Sequence, residues 1–76
     1  MNKRPVEKML IIIQERADET WPAMYNTPQC KALMEILAKD SDNITYPEKE
    51  RVREVLRAMC LALGLDYYRL LKKVCA

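Results

Sequence analysis

Apolar residues recur at steps of three and four positions in four separate stretches of the chain, which is the pattern of helices that each bury one face. No alternating, strand-like pattern of useful length interrupts these stretches. The sequence therefore predicts an all-α fold, a compact bundle of four helices that forms a single domain over residues 1–76. The predicted helices span residues 5–20, 28–39, 46–63 and 67–74.

The residues at the predicted helix ends support these boundaries. Thr27 followed by Pro28 favours a helix start, because the threonine oxygen accepts from a backbone amide and proline needs no donor in the first turn. Thr45 and Glu48 have the spacing of a capping box. Gly64 is expected to end the third helix, since glycine adopts a left-handed conformation at little cost.

The first helix is expected to end near residue 20, because Pro22 disfavours helical geometry at Trp21. The segment Trp21–Asn26 is then predicted to be a short loop, and Asp66 is predicted to cap the last helix. The apolar stripes of the four helices form the predicted core. They consist of Val6, Met9, Leu10, Ile13 and Ala17; Cys30, Leu33, Met34 and Leu37; Val52, Val55, Leu56, Met59 and Leu63; and Tyr67, Leu70, Leu71 and Val74.

Residues 9–13, MLIII, hold more apolar side chains than one buried face needs. At about 100° per residue, Ile11 lies opposite the core stripe and Ile12 lies at its edge. Leu61 likewise lies off the core face of the third helix. We interpret this surplus as a protein-contact surface; the alternative is a first helix buried on two sides. The candidate interface residues are Ile11, Ile12, Trp21, Met24, Tyr25 and Leu61.

Composition argues against most enzyme chemistry. The chain has no His and one Gly, so it lacks the commonest general base and any glycine-rich phosphate loop. Three Cys residues form no CxxC pair, which predicts reduced, structural thiols in a cytoplasmic protein. We expect no metal, no cofactor and no membrane association. The 13 basic and 11 acidic residues leave a net charge of only +2, which is small for a nucleic-acid binder.

Residues 58–74, AMCLALGLDYYRLLKKV, nevertheless resemble a helix-turn-helix with Gly64 in the turn and Cys60 as the small residue four positions earlier. In that interpretation the last helix is the recognition helix, which lies in the major groove of DNA. Lys73 departs from the pattern, which has an aliphatic residue there, and ALGLD is also an ordinary junction between two helices. The candidate DNA-binding residues are Tyr67, Tyr68, Arg69, Lys72 and Lys73.

Residues 41–48, SDNITYPE, are similar to the SDxIxYP segment of the colicin and pyocin DNase immunity proteins, which are small four-helix inhibitors. The resemblance implies contact between Tyr46 and a toxin, so Tyr46 joins the candidate interface residues. Thr45 stands where that family has a second tyrosine, and the family's downstream tryptophan signature is missing.

The sequence thus favours a small non-enzymatic interaction module. Such a module acts as an inhibitor, adaptor or regulator by occupying a partner protein's surface, or it self-associates. A helix-turn-helix regulator is the alternative, and an immunity-like inhibitor is a more remote one.

Overall fold

The computed structural model describes residues 4–75, and its elements confirm the all-α bundle. Four longer helices coincide with the four predicted ones, and a fifth, short helix follows the first. The α-helices are α1 (Pro5–Ala17), α2 (Trp21–Tyr25), α3 (Pro28–Leu37), α4 (Tyr46–Ala62) and α5 (Tyr67–Cys75). Two 3₁₀ turns, Asp18–Thr20 and Ser41–Asn43, lie between them. No described helix is long and apolar enough to cross a bilayer.

The predicted caps at the starts of α3 and α4 are present. The Oγ1 atom of Thr27 accepts from the amide of Cys30 at 3.2 Å. Thr45 and Glu48 form the capping box: the Glu48 amide donates to Thr45 Oγ1 at 3.4 Å, and the Thr45 amide donates to Glu48 Oε1 at 3.0 Å. Each cap satisfies amides that have no partner within the first helical turn.

The junction of α4 and α5 also follows the prediction. Gly64 has φ +70°, and the amide of Leu65 donates to the Cys60 carbonyl at 2.7 Å, which is the Schellman arrangement. Asp66 then caps α5, with its Oδ1 accepting from the amide of Arg69 at 3.2 Å. The two helices are therefore joined by a short turn.

The predicted loop Trp21–Asn26 is wrong, because Trp21–Tyr25 forms helix α2. Pro22 lies in the first turn, where its missing amide removes no helical hydrogen bond, and Trp21 is helical at φ −56° and ψ −44°. Trp21 and Met24 pack against the core, and this packing outweighs the preference of a residue before proline for extended geometry. The first helix instead ends at Ala17, and the residue that follows it, Asp18, has a φ of +49°.

The core lies largely where the stripes predict, but several stripe residues are half-buried at its edge and the stripe of α3 is shifted. The half-buried residues on the other helices are Val6, Val55, Leu63, Tyr67 and Leu71. Ile36, which the predicted stripe omits, is buried, whereas Met34 and Leu37 are only half-buried. The face of α3 that packs on α4 is therefore turned toward Ile36. The buried core residues are Met9, Leu10, Ile13, Ala17, Cys30, Leu33, Ile36, Val52, Leu56, Met59, Cys60, Leu70 and Val74.

The helices pack in a sequence of neighbours: α1 against α5, α5 against α4, α4 against α3, and α3 against α2. Arg4 links α1, the first helix of this series, to α3. Its Nη2 atom donates to the carbonyl of Leu37 at 2.7 Å and lies 2.8 Å from Glu7 Oε1. The start of α1 is thus held against the end of α3.

Candidate functional site

Leu61 is the most exposed large apolar side chain among the described residues, with 81% of its surface open to solvent. It lies on the face of α4 opposite Leu56, so folding does not bury it. Tyr68 at the start of α5 is 60% exposed. The two residues line one depression of about 380 Å³ between α4 and α5, which we name the α4–α5 depression. It also contains Glu54, Arg57, Ala58, Leu65 and Tyr67.

Aromatic and cationic groups stiffen the wall of this depression. The guanidinium of Arg57 lies over the ring of Tyr68, with Cζ 5.7 Å from the centroid. The rings of Tyr67 and Tyr68 meet edge to face with centroids 5.2 Å apart. Burial raises the pKa of the Tyr67 hydroxyl, so it stays protonated at neutral pH and is a hydrogen-bond donor. A molecule bound in the depression would therefore contact the rings of Tyr67 and Tyr68, the guanidinium of Arg57 and the Tyr67 hydroxyl.

A second depression, of about 430 Å³, lies on the other flank of α4 and is bounded by α2 and α3. It shares Glu54 and Ala58 with the α4–α5 depression, and Met24 lines its far side. We name it the α3–α4 depression. Two of the predicted interface residues, Met24 and Leu61, thus lie on adjoining parts of one surface that follows α4.

The remaining predicted interface residues are not gathered in these two depressions. Ile11 is 37% exposed on α1 and Tyr46 is 73% exposed at the start of α4. Ile12 and Trp21 are half-buried and pack against the core. Tyr25 is exposed, and its ring centroid lies 6.1 Å from that of Trp21.

Most of the candidate DNA-binding residues share the open face of α5. Tyr68, Arg69, Lys72 and Lys73 are exposed, whereas Tyr67 is half-buried against the core. Helix α5 contains no acidic residue, so its outer face is cationic. Tyr67 and Tyr68 also line the α4–α5 depression beside Leu61.

A concavity of about 670 Å³, larger than either depression, lies between the start of α1, α4 and α5. We name it the α1–α5 groove. Val52 and Leu56 line it from α4, and Val6, Leu37, Ile44 and Leu71 contribute further apolar side chains. Sequence reasoning missed this groove, although one signal was visible: Lys49, Arg53 and Arg57 recur at four-residue steps along α4. Lys49 and Arg53 line the groove.

The thiols show little sign of reactivity. Cys30 and Cys60 are buried, and burial raises the pKa of each, so the thiolate form is disfavoured. Cys75 is exposed. Within residues 4–75, no three His, Cys, Asp or Glu side chains lie together as candidate metal ligands.

Comparison with known proteins adds no relative to this description: no protein-family model, curated protein or solved structure gives a significant match to the chain.

Proposed function

We propose that this protein is a non-enzymatic interaction module that binds a partner protein through the surface of α4 and α5 around Leu61. The observation that supports this proposal most directly is the 81% exposure of Leu61 between two depressions. We call Leu61 together with Ala58, Leu65, Tyr68 and Arg57 the Leu61 surface.

The residue types of the Leu61 surface suit a protein partner. Tyrosine and arginine are enriched among the residues that dominate binding energies, and rigid rings lose little conformational entropy when they are covered. An exposed leucine contributes almost nothing to folding, whereas its full burial against a partner is worth about 1.5–3 kcal/mol. The contact between Arg57 and Tyr68 fixes one wall before a partner arrives.

A helix-turn-helix nucleic-acid binder is the second candidate function. The cationic outer face of α5, with Arg69, Lys72 and Lys73 exposed, supports it. Against it, the chain as a whole carries a net charge of only +2. Binding that depends on phosphate contacts falls steeply with salt, whereas an apolar protein interface is far less sensitive.

The biological role that fits this proposal is an inhibitor, adaptor or regulator working in the cytoplasm. The free thiols of Cys30, Cys60 and Cys75 suit a reducing compartment. The immunity-like alternative instead relies on Tyr46, whose ring is open at the start of α4.

The test is affinity capture from the native cells at low and moderate salt, with Leu61→Glu compared with Ile11→Glu. Both variants place a carboxylate at an exposed aliphatic position, one on α1 and the other on α4. We expect a protein that is retained at moderate salt by the parent chain and by Ile11→Glu but is lost with Leu61→Glu. Loss with Ile11→Glu alone would move the interface to α1. Recovery of nucleic acid that disappears at moderate salt would favour the second candidate.

A further inference from the structure

The α1–α5 groove has the dimensions and lining of a small-ligand site. Its volume of about 670 Å³ lies within the range of about 300–1,000 Å³ that is typical of such sites. Its lining is mostly apolar, with Val52 and Leu56 reaching into the buried core. A helix with its side chains is about 10–12 Å across and would fill far more than this volume. The space therefore fits a single flexible chain better than a partner helix.

The charged side chains that line the groove are all cationic: Arg4, Lys49 and Arg53, with no carboxylate among the lining residues. The Arg4 guanidinium is already held by Glu7 and by the Leu37 carbonyl. Arg53 lies 3.4 Å from Glu50, in a pair with both side chains open to solvent. Lys49 forms no ion pair within the described residues. Lys49 and Arg53 are thus the cations available to a ligand.

Lys49 and Arg53 are one helical turn apart, so their side chains project from the same edge of α4. Like charges at this spacing repel and weaken a helix. An anion placed between the two side chains would relieve the repulsion and accept hydrogen bonds from both. A carboxylate suits this position, because its two oxygens can each accept from one cation.

We propose that the α1–α5 groove binds a free single-chain carboxylate amphiphile of the fatty-acid class, with its head group between Lys49 and Arg53 and its alkyl chain along the apolar lining. The groove shares Tyr67 and Tyr68 with the α4–α5 depression but does not include Leu61. Lys49 and Arg53 do not line the α4–α5 depression, so substitutions at Lys49 and at Leu61 test the two proposals separately.

The test is an amide NMR titration of the intact protein with decanoate, decan-1-ol and decyltrimethylammonium, each kept below its micelle concentration. We expect saturable shifts around Lys49, Arg53 and Leu71 with decanoate. The alcohol should bind about tenfold more weakly, since it lacks the charge-assisted hydrogen bonds, and the cationic amphiphile weaker still. Dodecanoate should bind about sixteenfold more tightly than decanoate, because each of its two additional methylenes contributes about a fourfold gain when buried.

Lys49→Glu and Lys31→Glu form a matched pair for this titration, since each replaces one exposed lysine by glutamate and lowers the net charge equally. Lys31 lies on α3 and does not line the groove. Lys49→Glu should weaken decanoate binding about tenfold, and Lys31→Glu should leave it unchanged. Equal weakening in both variants, equal affinity for the three head groups, or no saturable shift would overturn the proposal.

Discussion

The guanidinium of Arg57 lies over the ring of Tyr68, with its Cζ atom 5.7 Å from the ring centroid. The contact links α4 to α5 beside Leu61, and Tyr68 separates the α4–α5 depression from the α1–α5 groove. The same contact therefore shapes both surfaces to which we assign binding.

This contact should be measurable as a coupling energy. In a double-mutant cycle of Arg57→Ala and Tyr68→Ala, urea unfolding should give a coupling of about 0.5–1 kcal/mol, the range of cation–π pairs at exposed sites. Tyr68→Phe keeps the ring and should retain most of the coupling. Strictly additive effects of the two alanine substitutions would mean that the wall of the Leu61 surface is not held by this pair.

The threonine caps at the starts of α3 and α4 should each contribute to stability. Thr45→Ala removes the oxygen that accepts from the Glu48 amide and should lower the free energy of unfolding by about 1 kcal/mol. Thr27→Ala removes the corresponding cap of α3 and should lower the free energy of unfolding by a similar amount. Urea denaturation measures both, and an unaffected Thr45→Ala variant would contradict the capping geometry.

The carboxylate of Glu48 should make stability depend on pH in the acid range. The hydrogen bond from Lys39, aided by the Thr45 amide, lowers the pKa of Glu48 from an ordinary 4.5 to about 2. Because the folded pKa lies below the unfolded one, the stabilisation is complete above about pH 4.5 and is lost as the pH falls toward 2.

Unfolding free energies measured from pH 5 to pH 2 should therefore fall less steeply in Glu48→Gln than in the parent protein. Glu35→Gln serves as the control, because it also removes one exposed carboxylate, and Glu35 forms no ion pair within residues 4–75. Identical curves for the parent and Glu48→Gln would show that Lys39 and Thr45 do not hold this carboxylate.

Asp18 should be a site where glycine stabilises the fold. Its φ of +49° and ψ of −113° lie outside the regions that side-chain-bearing residues favour. Asp18→Gly should raise the free energy of unfolding by about 1 kcal/mol. Glycine relieves the backbone strain of the folded state, and part of this gain is offset because glycine makes the unfolded chain more flexible. The neighbouring Glu19 has no positive φ, so Glu19→Gly should be destabilising. Loss of stability in both variants would contradict the strain at Asp18.

Substitution by glutamate should affect thermal stability very differently at Ile11 and at Ile13. Ile13 is fully buried, so Ile13→Glu places a carboxylate in the core and should unfold a chain whose core supplies only about 3–5 kcal/mol. Ile11→Glu should leave the thermal melt nearly unchanged, since Ile11 faces solvent. Comparable melting losses would mean that α1 is covered on both sides.

Helix ends that carry local chemistry were predictable from the sequence. Thr27, Thr45 and Gly64 act through hydrogen bonds or φ values set within a few residues, and each lies where its chemistry predicts. Helix α2 was not predictable in this way. The preference set by Pro22 is local, whereas the burial of Trp21 and Met24 that overrides it depends on the packed core.

The candidate surfaces also differ in whether the sequence alone could predict them. The exposure of Ile11 and Leu61 followed from the helical period alone, because each lies opposite a buried stripe. The α1–α5 groove did not follow from it. The spacing of Lys49 and Arg53 is visible in the sequence, but the opposite walls come from Val6 and Leu71, whose positions depend on how α1 and α5 pack.

The most direct test of the central claim is photo-crosslinking in the native cells from a benzophenone amino acid placed at Leu61, with the same group at exposed Lys31 as control. We expect a discrete protein adduct from position 61 that is absent from position 31. A protein adduct from position 31 alone, equal adducts from both positions, or adducts only to nucleic acid would contradict a protein interface at Leu61.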